Sequence, residues 1–319
     1  MSYFKRVITP VLKRSGQTSL WLLQLILPIS LAFRLLDYTG ILVVFAEYLD
    51  PVFTHLGLPG STAIIFITST FLPLYAPIAI ITSMTLTLRE LTILALMCQV
   101  AHNLPVESAI QAKTGTSFVA MFSVRIVMSI LIGFVLNIIL PQEMGMPSFL
   151  QTSPEVMTSI GDVLYAWLIT SVRITVLIVA IITVLMITYR LMEEYNLINR
   201  LSKSIEPVLK FFGLPQSTGF LWLIGYIVGL AYGGALMIDQ MKEGKVTKAE
   251  GSLLNYHLAI SHSILEDNLL FIALGVSVWW ILATRLIAAW IVVWTRRLFL
   301  DFRSRLMYKS DVKQTVSQL

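Results

Sequence analysis

The chain has 319 residues, of which 56% are hydrophobic and 13% charged, with a mean hydropathy of +0.80. That apolar share exceeds the ~45–50% of soluble domains and excludes an ordinary water-soluble fold. The net charge of +5 is read as cytoplasmic anchoring and requires no nucleic acid, and the lone Cys98 excludes an internal disulfide and a thiolate metal site.

Residues 1–17 carry Lys5, Arg6, Lys13 and Arg14, interrupted by Pro10, and no small-residue cleavage site follows the first apolar run. A retained cytoplasmic basic segment is expected there, not a cleaved signal. The first span covers 18–33, an apolar run near the ~20 residues needed to cross hydrocarbon as helix. Arg34 and Asp37 at its end read as an interfacial pair. A box follows at 50–62, Asp-Pro-Val-Phe-Thr-His-Leu-Gly-Leu-Pro-Gly-Ser-Thr. Residues 61–88 hold Pro73 and Pro77 mid-segment. Proline removes an amide donor and clashes with the preceding turn, so this segment reads as a re-entrant helical hairpin. The next is interrupted by His102-Asn103-Leu104-Pro105-Val106-Glu107-Ser108. It reads as a discontinuous span whose centre faces protein or water. Residues 117–140 form an exit helix containing Arg125, and 141–158, free of cations, an extracytoplasmic linker.

The second half repeats the first. Residues 206–218, Glu-Pro-Val-Leu-Lys-Phe-Phe-Gly-Leu-Pro-Gln-Ser-Thr, match 50–62 at seven positions with an offset of 156. Upstream, Tyr189-Arg190-Leu191-Met192-Glu193 answers Phe33-Arg34-Leu35-Leu36-Asp37, with Arg190 and Glu193 read as a second interfacial pair. Downstream the offset is 160, pairing His102 with His262, Glu107 with Asp267, Gly115 with Gly275 and Arg125 with Arg285; the charged stretch Gln240–Glu250 takes the four extra residues. The copy therefore holds a span at 164–189 and a hairpin at 217–239 broken by Gly225, Gly229, Gly233 and Gly234. A discontinuous span around Ser261-His262-Ser263-Ile264-Leu265-Glu266-Asp267-Asn268 and an exit helix at 276–295 complete it.

Three crossings per copy give the copies opposite orientations. With the N-terminus inside, eighteen of the 23 cations are cytoplasmic, Arg34 and Arg89 lie outside, and Arg125, Arg173 and Arg285 fall within spans. The positive-inside rule favours this arrangement over four crossings per copy. The expected fold is an all-α integral membrane protein, an inverted-topology repeat of two three-crossing units, each with a re-entrant hairpin and a broken transmembrane helix. The units are 18–140 and 159–300. Six crossings plus two hairpins result, with a basic cytoplasmic tail at 301–319 that contacts anionic lipid headgroups.

The Gly-Leu-Pro-x-Ser-Thr box before a broken hairpin, followed by His102-Asn103-Leu104-Pro105-Val106-Glu107 and its degenerate copy, resembles the nucleoside-recognition or gate domain. That domain occurs in bacterial nucleoside-recognition membrane proteins, in spore maturation proteins A and B and in the membrane part of ferrous-iron transport protein B. It is related to the core of concentrative nucleoside transporters. The resemblance covers about residues 18–300 and implies an inverted-repeat core with a central site. It does not establish a nucleoside substrate. The chain departs from the iron transporters in lacking a Gly-x-x-x-x-Gly-Lys-Ser/Thr loop and a Gly-Pro-Cys element. It departs from the nucleoside transporters in offering Thr70, Tyr75 and Tyr232 at the hairpin tips in place of amides and carboxylates.

Ionisable groups at membrane depth are costly and mark pathways or ion sites. A two-fold relation between the copies brings His102 and Glu107 to His262 and Asp267. Imidazole and carboxylate suit a divalent first-row cation, and the same set can take up and release protons. Asn103, Ser261, Glu266 and Asn268 are further solute-binding candidates, although for Asn103, Asn255, Asn268 and Ser261 capping of helix ends is the favoured reading. One of Arg125 and Arg285 is expected to balance the carboxylates. His257, five residues before His262, points ~140° away on an unbroken helix and cannot share its ion. His55 is placed in an interfacial loop with no role. Ser261-His262-Ser263 and Asp267 lie on one segment and do not form a nucleophile, base and orienting acid, so no enzyme is expected.

The leading expectation is a transporter or permeation protein for a small polar solute or cation in the bacterial cytoplasmic membrane, with both termini cytoplasmic. Its only bound species would be a coupling ion or divalent cation. Its partners would be the lipid bilayer, the solute, and a second copy or another gate-domain protein. The competing expectation is a non-transporting membrane scaffold partnered with such a protein.

Overall fold

The computed structural model describes residues 3–147 and 159–317, with no strand among them. Residues 148–158, most of the expected linker with Glu155, lie outside the described residues, as do the side chains of Asp37 and Glu193. The first half contains α1 (Tyr3–Tyr38), α2 (Ile41–Phe53), α3 (Ala63–Phe71), α4 (Tyr75–Ile81), α5 (Leu88–Ala101), α6 (Leu104–Ala112) and α7 (Phe118–Ile139). The second contains α8 (Ile160–Glu194), α9 (Leu197–Ser204), α10 (Glu206–Phe211), α11 (Gly219–Ile227), α12 (Leu230–Lys242), α13 (Lys248–Ile260), α14 (Ile264–Ala273) and α15 (Val278–Ser317).

The identities in the two boxes each perform a local task. Gly57 and Gly213 both take a left-handed φ of 71°, where a side chain is strained. A Cβ on Gly57 would also run into the Asn137 side chain and Arg89. Pro59 and Pro215 are extended, and Thr62 and Thr218 each donate Oγ1–H to the carbonyl of that proline at 2.7 Å, closing a single 3-10 turn. The acid at the head of each box reaches the same place ten residues on: Asp50 accepts the Gly60 N–H at 2.8 Å, and Glu206 accepts from the Gln216 side chain.

Further along, α5 and α13 start on matching capping boxes, Thr87 with Glu90 and Thr247 with Glu250. Each threonine oxygen accepts the N–H three residues on while the glutamate reaches back, satisfying two orphan donors. Between α3 and α4 the chain breaks at Leu72–Leu74, around Pro73; between α11 and α12 it breaks at Gly229, with φ 97° and ψ 176°. Gly233 packs against Gly225 so closely that a Cβ would sit 3.3 Å from the Gly225 Cα, which lets α11 and α12 touch backbone to backbone.

α1 runs unbroken from Tyr3 through Pro10 and Pro28 to Tyr38. Packing along α8 holds it, with Trp167 donating to Ser30 at 2.9 Å and Thr183 to Ser15 at 3.2 Å, and this outweighs the backbone bonds that the prolines delete. Likewise 301–317 continues α15, whose 40 residues extend ~60 Å, about twice the hydrocarbon thickness.

Among the described residues four helical stretches are long and apolar enough to cross a bilayer: 88–112, 118–139, 160–192 and 278–302. A fifth is reached if 47–56 and 60–71, bent by 94°, count as one. The six expected crossings are therefore not recovered from length and composition alone. Within α1 the stretch 26–36 counts as a shorter apolar helix, and α13 opens on Lys248 and Glu250.

Burial sorts the helices. The interior side of α5 includes Ile93, Leu94, Leu96 and Met97, all fully buried, whereas Val119, Val127, Ile138, Val176 and Trp279 on α7, α8 and α15 are exposed. An apolar outer surface around a buried central helix is what a lipid solvent requires. The largest fully buried side chains are nevertheless Arg125 and Arg285.

Candidate functional site

The site forms where two helices stop and restart. After α5, His102 is extended and Asn103 takes a left-handed φ of 48°, a region open to asparagine. After α13, Ser263 does the same at 47°. The restart of α6 has Pro105 in its first turn, where the missing N–H deletes no helical bond. Each break leans on a neighbouring helix: Asn103 N–H donates to the Ser69 carbonyl at 2.8 Å, and Ser263 N–H to the Gly225 carbonyl at 2.9 Å.

Breaking a helix leaves its last carbonyls without partners. An arginine satisfies them in each half. Arg125 on α7 donates Nε–H to Val100 O at 2.7 Å, Nη2–H to His102 O at 2.9 Å and Nη1–H to Glu107 Oε2 at 2.5 Å. Arg285 on α15 donates Nε–H to Ile260 O at 3.3 Å, Nη2–H to His262 O and Nη1–H to Asn268 Oδ1 at 3.0 Å. It also stands 3.5 Å from Asp267 Oδ2. The fork of a guanidinium spans the gap between the end of one half-helix and the acid at the start of the next, which a lysine's point charge cannot do.

Within this frame the two buried imidazoles meet. His102 Nδ1 lies 2.9 Å from Gln99 O and His262 Nδ1 lies 2.7 Å from Leu258 O. A carbonyl oxygen only accepts, so Nδ1 carries the hydrogen in both rings and each Nε2 presents its lone pair. Those two Nε2 atoms are 3.4 Å apart, and the Glu107 carboxylate completes the group with Oε1 3.4 Å from His102 Nε2 and Oε2 3.4 Å from His262 Nε2. Three electron-pair donors from both halves of the chain thus point at one buried spot.

The curated "Uncharacterized membrane protein YvoD" of Bacillus subtilis (strain 168) is 31% identical to this chain over 288 residues, covering 89% of this chain and 92% of that one. The chain belongs to that membrane-protein family. No family model matches it. No solved structure matches it. An all-helical membrane protein is therefore what the fold and the relative jointly support.

Most of the remaining expected site residues surround the triad without joining it. Asp267 sits with Arg285 and not in the ligand group, and its Oδ2 is buried with no hydrogen-bond partner. Asn268 accepts from Gln99 at 3.3 Å as well as from Arg285. Ser261 accepts from the Tyr226 hydroxyl at 3.2 Å. Tyr75, at the start of α4, donates to Glu266 on α14. Glu266 in turn lines a cavity of about 500 Å³ with Arg14, Tyr189, Arg190, Val228 and Leu265. Asn103 supplies backbone geometry and no side-chain cap.

Of the tip residues, Thr70 donates to the Phe66 carbonyl of its own helix, and Tyr232 is 47% exposed on α12. Both arginines, not one, balance the acids. Arg190 pairs with Glu194 at 3.0 Å along one helix face, and the expected partner Glu193 has its side chain outside the described residues. His257 is separate from the triad as expected, held by the Tyr226 hydroxyl at 2.6 Å and packed on Phe212 and Trp222.

Sequence reasoning missed Gln99 and Gln111. Gln99 donates across to Asp267 O at 3.0 Å; Gln111 donates to Asn255 O at 2.9 Å, while the Asn255 amide caps the end of α6 at Gln111 O and Thr114 O. An amide inside an apolar run demands a partner, and that signal was present in Met97-Cys98-Gln99-Val100.

Proposed function

We propose that this protein is a secondary transporter or permeation protein for a small polar solute or cation, with its site where the two broken helices meet. The observation that carries this reading is the buried triad His102, Glu107 and His262, to which both halves contribute. Polar groups at such depth mark pathways. In this reading the halves are inverted repeats of the gate-domain type, in a bacterial cytoplasmic membrane with both termini inside, giving six crossings and two re-entrant hairpins at α3–α4 and α11–α12. Sequence-equivalent residues in direct contact, as His102 and His262 are, lie on a two-fold axis relating the halves, which supports the repeat. Starts of α5 and α13, α6 and α14, and α7 and α15 that each differ by 160 residues support it further. A cavity lined by Glu266, which accepts a hydrogen bond from Tyr75, adds room for a polar solute near α14. Helix ends at the breaks add partial charges that face the solute.

The test is uptake by proteoliposomes holding the purified chain, assayed with divalent cations, nucleosides and organic anions. Uptake above that of empty vesicles, and at least tenfold lower in His262→Ala, is expected. Flux equal to empty vesicles for every class overturns transport and favours a membrane scaffold.

A further inference from the structure

We propose that His102, Glu107 and His262 form a binding site for a divalent first-row transition metal of the zinc class, joining the α5–α6 break to the α13–α14 break. The inference rests on the central site described above and not on the transport step.

Distances decide between a metal and a shared proton. A charge-assisted hydrogen bond from an imidazolium to a carboxylate or a second imidazole closes to about 2.7–2.9 Å. The two Nε2 atoms here are 3.4 Å apart, and each stands 3.4 Å from a different oxygen of the Glu107 carboxylate, His102 from Oε1 and His262 from Oε2. Ligands about 2.0–2.1 Å from a tetrahedral zinc ion stand about 3.3–3.4 Å from one another, so the two imidazole nitrogens have the spacing of two such ligands, with the carboxylate beside both. Three protein ligands leave a fourth position for water or solute, the arrangement of an open site.

The surroundings match as well. A metal-bound histidine donates its other ring N–H to a carbonyl or carboxylate, which orients the ring, and Gln99 O and Leu258 O already hold both Nδ1–H groups in that role. Glu107 is itself oriented by Arg125. Two nitrogen donors and one carboxylate favour Zn, Fe, Co or Ni over Mg and Ca, which take oxygen shells. Charge sharpens the choice. Arg125 and Arg285 already offset Glu107 and Asp267, so a divalent ion adds uncompensated charge to a dry interior. Strong imidazole bonding and a bound hydroxide or anion in the fourth position offset that cost, whereas a weakly held Mg or Ca ion has neither.

The experiment uses the full chain in detergent, stripped with chelator and titrated with zinc or cobalt(II) chloride alone. One metal per chain, a saturable rise in Tm and the visible absorption of four-coordinate cobalt are expected, all lost in His102→Gln and His262→Gln but kept in Cys98→Ser. Because a variant can fail to fold, each is compared by helicity and monodispersity. X-ray absorption of the zinc-loaded wild-type chain gives a second readout, with imidazole ligands near 2.0–2.1 Å expected. No saturable binding, equal binding in both histidine variants, or a zinc shell without imidazole overturns the proposal. Metal bound without uptake leaves this site standing and removes the transport reading. Uptake of a solute by a chain that binds no metal does the reverse.

Discussion

Arg125 donates three hydrogen bonds, to Val100 O, His102 O and Glu107, so its charge is divided between a helix C-terminus and a carboxylate. Removing one partner of a buried ion pair leaves the other charge uncompensated, at about 3–5 kcal/mol. Arg125→Met is therefore expected to lose about that much stability in denaturant or thermal unfolding in detergent. Arg125→Met with Glu107→Gln should recover part of the loss, since a neutral amide leaves no orphan charge; a double variant as unstable as the sum of the single changes would refute the coupling. At this scale the sequence exposed the pairing of Arg125 with Arg285 through their offset of 160, but not their partners. Which carbonyls a guanidinium reaches depends on how α7 and α15 lie against the breaks, and no spacing in the chain encodes that.

Local chemistry governs the elements. Glu250, at the water-exposed start of α13, accepts a hydrogen bond from the Ser217 hydroxyl at 2.6 Å and closes the capping box with Thr247, tying the 3-10 turn at Gln216–Thr218 to α13. Those bonds, the Ser217 hydroxyl first, hold its carboxyl below the usual carboxylate range. A depressed folded-state pKa contributes stability above the unfolded value of about 4.3, and that stability is lost as pH falls through the folded value. The wild-type Tm should therefore fall on acidification below about pH 4.3. Glu250→Gln should be less stable at neutral pH and should show a shallower acid limb; identical acid limbs in the two proteins would exclude the contribution. Thr247→Ala, which removes the cap itself, should cost about 1 kcal/mol at neutral pH. Elements of this kind were legible: the prolines and glycines located the breaks within α3–α4 and α11–α12, and the polar clusters located those at His102–Asn103 and Ser261–Ser263. The ends of α1 and α15 were not, because long packed helices override a proline or a change in hydropathy.

For the whole molecule the decisive quantity is orientation. Ser117 and Ser277 are equivalent at an offset of 160, both exposed, each just before an exit helix. In a Cys98→Ala background, Ser117→Cys should react with a membrane-impermeant maleimide only from the cytoplasmic side and Ser277→Cys only from the outer side of intact cells. Labelling of both from one side would eliminate the inverted repeat and with it the central pathway. Cys98 itself is fully buried, so its replacement leaves the labelled surface unaltered.

Composition and apolar runs sufficed to indicate a helical membrane protein, and the recurring box to locate its turns, because lipid permits few ways of satisfying a backbone and because turns are specified by a handful of neighbouring residues. The convergence of His102, Glu107 and His262, the pairing of Asp267 with Arg285, and the tautomers of both rings were decided only by tertiary structure. A hydrogen-bond partner 160 residues away is chosen by helix packing, and packing is a property of all the helices together.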